Sequence, residues 1–515
     1  MPENTMTYEE LTSTHEIYKQ NIDTWLFMGS AYNGGDEFLR LSLERHPRET
    51  QENWRARVKD GFAFNYAAIV VDLFSFYLTE KAPDRSNMGR LLDDVFWKMF
   101  LKDCDLSDTN FDEFLIESQR TASIYGTMGV LVDKARSSIG MTRKTALKKG
   151  IYPYCSSYIL PNILDWRYTR DEETNRPSLV YLKLKDNDGK YIIWSTDSWY
   201  MWSIDAKKNP VLEAQGENSL GEIPFVWLHN IRNPNNPFIG VSDIKEIARI
   251  NASIIRNLSC GEEVIKFAGF PMLRLPQTAD NQEDSQQVVG HTSVLQFNPE
   301  FGKDGKPDWL ESAIKEPIES IMDWIDRKIG EVYQMSHLSG IHAHEKSDQV
   351  RSGVALRYEF QQLGRVLAKK SVNLTEAELA IIRLWLKWQN QSDMYDEINV
   401  YRTKDFSVDD LNQNLQNLTM ARTLSPSITF KREVAKMVAK KNLPDATTDM
   451  LVKINDEIDT MKEEKFDNQP KSKSNVPNAG RTYIGAGENA AGKGQVEKVI
   501  ASQVKLPGET PPMQD

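Results

Sequence analysis

Only three cysteines occur among the 515 residues, Cys104, Cys155 and Cys260, and they stand far apart. That spacing excludes a disulfide framework or a paired-cysteine zinc site, and a reducing compartment is expected. Long apolar runs are missing as well. The most apolar stretches, YAAIVVDLFSFYL and LAIIRLWLKW, are interrupted by Asp72 and Arg383, and both are shorter than the roughly 18 residues that cross a bilayer. The opening MPENTMTYEELTSTHEIYKQ has no basic segment followed by an apolar one, so a signal peptide is not expected. A soluble intracellular protein with no membrane partner is the expectation. Positive charge is also short: 63 Lys and Arg face 74 Asp and Glu, a net charge of −11. Tight nucleic-acid binding depends on cations displacing counterions from phosphates, so a repressor or nuclease is disfavoured. An acidic surface repels passing DNA weakly, which suits a conduit.

What is present is material for a core. Apolar residues make up 40%, with 12 Trp, 18 Tyr and 20 Phe, and this length accommodates about two to four domains. Residues 466–515 differ: rich in Gly, Pro, Asn, Ser and Gln, they read as a mobile tail.

The periodicity predicts an α+β fold, mainly helical. Residues 8–126 are helical in pattern, with Pro83 stopping one apolar run and Gly126 placed to cap FDEFLIESQRTASIYG. From 127 to 230 the period shortens toward two. MGVLVD, SLVYLKLKDNDGKYIIWST and EIPFVWLHN read as strands, with Asn187-Asp188-Gly189 as a hairpin turn. A helix is expected from near Ser242 to about Ala268, with an inward stripe of Ile244, Ile247, Ala248, Asn251, Ile254, Ile255 and Leu258. A small β-containing insertion follows, with SVLQF as a strand. A second helix begins around Pro317 and shows Ile318, Ile321, Ile325, Ile329 and Val332 on one face. After the loop HLSGIHAHEKSDQV, which Ser347 or Asp348 closes as a helix cap, the longest helix runs from Val350 to about Asn390 along Leu356, Phe360, Leu363, Leu367, Leu374, Ile381 and Trp385. Roughly 40 residues at about 1.5 Å each make it about 60 Å long. INVYRTKDF is a short strand, and 407–465 are helical again.

Candidate chemistry is sparse. Three of the seven histidines, His337, His342 and His344, cluster beside Glu345 and Asp348, and paired imidazoles with carboxylates are how metal-dependent hydrolases hold zinc. The pattern breaks off because His344 is the last histidine in the chain. GENAAGKG at 487–494 imitates a phosphate-binding loop, but Gly494 stands where a hydroxyl must ligate magnesium and no strand leads into it. GAGENA likewise lacks the strand and helix of a dinucleotide loop. Trp194, Trp199, Tyr200 and Trp202 form either a stacking surface for single-stranded nucleic acid or part of the core, and no basic run interleaves them. No enzyme site and no cofactor is expected.

The order of elements, together with HPRETQENWRARVKDGFAFNYAAIVVDLFSFYLTEKAP, YGTMGVLVD, PNILDWR and SGVALRYEF, resembles the portal proteins of tailed bacteriophages over residues 15–460. The resemblance implies an N-terminal wing (1–240), a first stem helix (241–269), a clip (270–315) and a second stem helix (316–336). A tunnel loop (337–352), a spine helix with further wing (353–406), a crown (407–465) and the tail complete it. It implies a ring, typically of twelve subunits, at one capsid vertex of the virion, assembled in the bacterial cytoplasm and passing double-stranded DNA during packaging and ejection. Its implied partners are the major capsid and scaffolding proteins, the terminase and a head-tail adaptor. The tunnel loop's His337, His342, His344, Glu345, Lys346, Asp348 and Arg351 would face the DNA. The clip's Gln277, Asp280, Glu283, Asp284, His291 and Lys303 would contact terminase or adaptor. The alternative that remains is a metal-dependent hydrolase using the three histidines.

Overall fold

The computed structural model describes residues 6–135, 141–172, 174–269, 272–276, 294–297, 308–310, 315–338, 353–406, 427–442 and 448–460. The chain divides into two units, Met1–Val408 and Asp409–Asp515.

Seven helices open the first unit: α1 (Tyr8–Thr12), α2 (Glu16–Asn33), α3 (Gly35–Ser42), α4 (Gln51–Asp60), α5 (Tyr66–Thr79), α6 (Val95–Lys102) and α7 (Phe111–Tyr125). Their ends follow from local chemistry. The Asn110 side chain accepts the Glu113 N–H at 2.8 Å to start α7. Gly126, with φ of +87°, stops it by returning its N–H to the Ala122 carbonyl. The α5 residues Val70, Val71, Phe74 and Leu78 are buried, while Ile69 and Phe76 face outward.

Nine strands then follow or interleave: β1 (Asp84–Asn87), β2 (Thr127–Lys134), β3 (Pro153–Ile159), β4 (Ile163–Arg170), β5 (Pro177–Lys185), β6 (Tyr191–Ser195), β7 (Ser198–Ile204), β8 (Pro210–Glu217) and β9 (Phe225–His229), with α8 (Arg143–Lys149) before β3. One antiparallel sheet has the order β3-β2-β9, and a second is the meander β4 to β8. The β5–β6 hairpin closes over the expected turn, where Gly189 has φ of +79° and Asp186 donates its N–H to the Lys190 carbonyl.

The rest of the first unit comprises α9 (Lys245–Gly269), β10 (Met272–Pro276), β11 (Val294–Phe297), β12 (Asp308–Leu310), α10 (Lys315–Met335), α11 (Gly353–Trp388) and β13 (Asn399–Tyr401). In the small insertion sheet, β10 lies between parallel β11 and antiparallel β12. β13 pairs back on β1. The second unit contributes α12 (Ile428–Asn442) and α13 (Thr448–Thr460), joined by an ion pair between Lys436 and Asp459 at 2.9 Å.

The core is threaded by α11. Leu363, Leu367, Leu374, Ile381 and Trp385 are buried along it, and the Trp385 indole sits edge-on to Trp97 at 5.3 Å and beside Phe100 at 5.9 Å. Aromatic contacts of this kind add about 0.5–1.5 kcal/mol beyond the area they bury. The hairpin tryptophans belong to the core: Trp194, Trp199 and Trp202 are all buried. No helix among the described residues is long and apolar enough to cross a membrane.

Candidate functional site

The first helix of the pair, α9, begins at Lys245 rather than near Ser242. Ser242 is occupied otherwise. Its hydroxyl donates to the Ile124 carbonyl at 2.6 Å and accepts the Ile244 N–H at 3.1 Å, so it ties the approach to the end of α7. Just before it two glycines meet. A Cβ on Gly126 would lie 2.3 Å from the Gly240 carbonyl oxygen, and one on Gly240 would lie 2.3 Å from that of Gly126. Gly240 donates its N–H to the Thr127 hydroxyl at 2.7 Å. The root of α9 is thus held against the α7–β2 corner by backbone contact that only glycine permits.

Thr127 also meets His229 Nδ1 at 2.9 Å. The hydroxyl thus joins the Gly240 backbone to the His229 ring, the direction of the ring bond following the imidazole tautomer. Burial, and to a lesser degree the charge of Arg232, pulls the His229 pKa down to about 4. The unfolded chain takes up this proton near pH 6.5 and the folded chain does not, so stability is full above that pH and falls as pH drops toward 4. The loss is about 2 kcal/mol once the ring's residual exposure is discounted. Unfolding midpoints measured from pH 7 to pH 4.5 should show a decline that His229→Gln flattens.

A buried polar network locks this root to α11. Lys370, fully buried, pairs with Asp243, lies 3.4 Å from the Ser123 hydroxyl and stands 4.1 Å above the Phe74 ring. Burial lowers the Lys370 pKa, and Asp243 opposes that shift. Asp243 also accepts from the Asn230 amide at 2.9 Å, while Asn230 accepts from Gln119 at 3.0 Å and Ser123 at 3.2 Å. A second buried acid on α11, Glu378, takes Arg85 from β1 at 2.6 Å and Arg402 from just beyond β13. These groups clamp α5, α7, β9, α9 and the β1–β13 pair onto one helix.

Helices α9 and α10 pack along their apolar stripes. Ile247, Ala248, Ile254, Ile255, Ile325 and Val332 are buried, and Lys328 on α10 donates to the Ser253 hydroxyl on α9 at 2.7 Å. Asn251, the polar member of the stripe, is fully buried and accepts the Tyr66 N–H at 3.0 Å. The outer face of α10 carries Glu316, Glu319, Asp323, Asp326 and Glu331, all exposed. Trp324 is 50% exposed there, flanked by Arg327 at 5.6 Å and Lys328 at 5.2 Å.

His337 has a backbone role. It ends α10 in the left-handed conformation, φ +58°, while its N–H returns to the Gln334 carbonyl and that of Leu338 to Tyr333. This is a Schellman closure with buried Leu338 as its apolar contact. Gly150 after α8 and Asn390 after α11 close their helices in the same way. A non-glycine residue there costs about 1 kcal/mol, so His337→Gly should raise unfolding stability by about 0.5–1 kcal/mol, measurable as an upward shift in Tm.

His342, His344, Glu345, Lys346, Asp348 and Arg351 lie outside the described residues, as do Gln277, Asp280, Glu283, Asp284, His291 and Lys303 and both glycine-rich tail motifs. Among the described residues no group of three or more His, Cys, Asp and Glu is placed to hold a metal ion. The hydrolase reading therefore has no structural support.

No family model matches the chain, and no curated protein matches it. Solved structures do. It is similar to a chain of the virion of a native gene transfer agent particle, at 11% identity and a TM-score of 0.43, over 78% of this chain and 90% of that one. It is also similar to a chain from the neck of an empty gene transfer agent particle, at 11% identity and a TM-score of 0.41, over 71% of this chain and 87% of that one.

Periodicity alone does not reveal the partners of these buried charges, yet the sequence marks their positions. Lys370 falls three residues after Leu367 and four before Leu374, and Glu378 four after Leu374. Both stand on the apolar stripe of α11, where an ion requires a partner.

Proposed function

We propose that this chain is a portal subunit, a structural and non-enzymatic protein that assembles into a ring, of about twelve copies on the family resemblance, at one capsid vertex. The ring passes double-stranded DNA inward during packaging and outward during ejection. It meets the major capsid and scaffolding proteins around it and docks terminase and then a head-tail adaptor. In this reading α9 and α10 are the stem, 270–315 the clip, 337–352 the tunnel loop and α11 the spine. DNA contact is assigned to the loop residues from His337 to Arg351, and docking to Gln277, Asp280, Glu283, Asp284, His291 and Lys303.

The observation that carries the reading is one of chain order: two helices packed side by side enclose a small three-stranded insertion, and a 36-residue helix through the body follows them in the chain. Two further features support it. The acidic outer face of α10 suits a wall along which DNA slides without adhering. Exposed apolar side chains, Phe76 and Ile69 on α5, Ile265 on α9, and Met322 and Trp324 on α10, suit the opposed sticky faces that a closed heterologous ring requires.

Light scattering of the purified chain should give a mass of several hundred kilodaltons, and electron-microscopic class averages down the axis should show a central hole. Monomers at every concentration, with or without scaffolding protein, would sink the proposal.

A further inference from the structure

Two of the three cysteines, far apart in the chain, meet in the fold. Cys104 lies in the loop between α6 and α7, Cys155 lies in β3, and the Cys155 N–H donates to the Cys104 carbonyl at 2.7 Å. One residue earlier in the loop, the Asp103 carbonyl accepts from the Tyr152 hydroxyl at 2.9 Å. Two consecutive loop carbonyls are thus held by β3 and the residue leading into it. Residues joined by such a backbone bond have Cα atoms about 5–6 Å apart, inside the range of about 4.4–6.8 Å that a disulfide spans. Both side chains enter the same apolar core, both are buried, and both are free thiols. Nothing in the portal reading uses them.

The two thiols differ in access. Leu106, Ser107 and Asp108, just beyond Cys104, are exposed, and the loop is held chiefly by its own N–H groups on the Asp103 and Asp105 carboxylates. Opening of that short loop bares Cys104 while Cys155 stays enclosed in the sheet. Burial holds the Cys155 thiol well above its ordinary range, with Cys104 and Asp105 adding to the shift, and burial followed by Asp105 does the same for Cys104. Exchange is therefore slow at neutral pH and quickens as pH rises, because the thiolate is the attacking species.

We propose that Cys104 and Cys155 are a reversible dithiol pair, which a small disulfide such as oxidised glutathione closes into a staple between the α6–α7 loop and β3. The Cys104 thiolate attacks the small disulfide, forming a mixed disulfide and releasing one glutathione thiolate, which takes up the Cys104 proton. Cys155 then attacks the Cys104 sulfur and releases the second glutathione in the same way. Two protein thiols are oxidised and one small disulfide is reduced to two thiols. The pair stays open in a reducing compartment and closes in an oxidising one. The inference stands apart from the portal reading, since the staple lies within one chain and forms whether or not rings do.

The test uses the full-length chain carrying Cys260→Ser, which removes the exposed third thiol. The chain is incubated with oxidised glutathione at about pH 8.5, in buffer and again in urea below the unfolding transition, then alkylated and mapped by mass spectrometry. The expected product carries no glutathione, is two hydrogens lighter than the reduced chain and yields one linked peptide containing both cysteines. Because the link closes about 50 residues of unfolded chain, the Tm should rise by about 5 °C, and dithiothreitol should reverse both changes. Cys155→Ala should stop instead at glutathione retained on Cys104. Thiols that remain alkylatable under both conditions, glutathione retained when Cys155 is present, links only between separate chains, or a Tm that the link leaves unchanged or lowers would overturn the proposal.

Discussion

Lys370→Met is expected to lower the unfolding free energy of the first unit by about 3–5 kcal/mol, although methionine packs as well as the lysine stem does. The cost lies in Asp243. With its ammonium partner gone, that carboxylate stays buried beside Asn230 as an uncompensated charge, and breaking a buried pair from one side is far costlier than removing both partners. The double replacement Lys370→Met with Asp243→Asn should recover more than half of the loss, because the Asn230 amide can still be satisfied by a neutral acceptor. Urea unfolding followed by tryptophan fluorescence measures both. A double variant whose loss is the sum of the two single losses would show that the groups are not coupled.

The second large effect concerns the glycine pair at the root of α9. Gly126→Ala combines two penalties: a Cβ in the left-handed region, about 1–2 kcal/mol, and a clash with the Gly240 carbonyl at 2.3 Å that forces backbone to move, about 1–3 kcal/mol. The total, about 2–5 kcal/mol, should appear as a large fall in the urea midpoint. Gly240→Ala meets the Gly126 carbonyl at the same distance but carries no positive φ, so it should show the clash alone. Gly189→Ala, at φ of +79° with nothing within 4 Å of its Cβ, should show the strain alone. If the losses at Gly189 and Gly240 do not together approach that at Gly126, the corner is not held as described.

Much of this architecture is legible from periodicity. The stripes of α9, α10 and α11 follow from burying one face, whereas β2 and β6 are buried on both faces and read as strands by their β-branched and aromatic residues, and Gly126 and Gly189 mark their turns by the φ values that glycine alone adopts easily. What the sequence conceals is what depends on distant chain. The helix is expected from near Ser242, but the Ser242 hydroxyl donates to the Ile124 carbonyl across the fold, and the helix starts three residues later. Lys370 and Glu378 stand on the apolar stripe of α11, but their partners Asp243, Arg85 and Arg402 come from distant chain that periodicity does not reveal. His337 stands in a histidine cluster in the sequence, whereas in the fold its backbone closes α10.

The pairing of β10 with β12 sets a limit on how this molecule can diversify. β10 follows α9 closely and β12 comes shortly before α10, and Met272 to Arg274 align antiparallel with Leu310 to Asp308. The strand pair therefore continues the helix pair like the upper teeth of a closed zip, fixing the register of both legs before the intervening sequence begins. Changes of length or chemistry in the chain between the strands therefore leave the alignment of α9 with α10 in place, provided Met272 to Arg274 keep their pairing with Leu310 to Asp308.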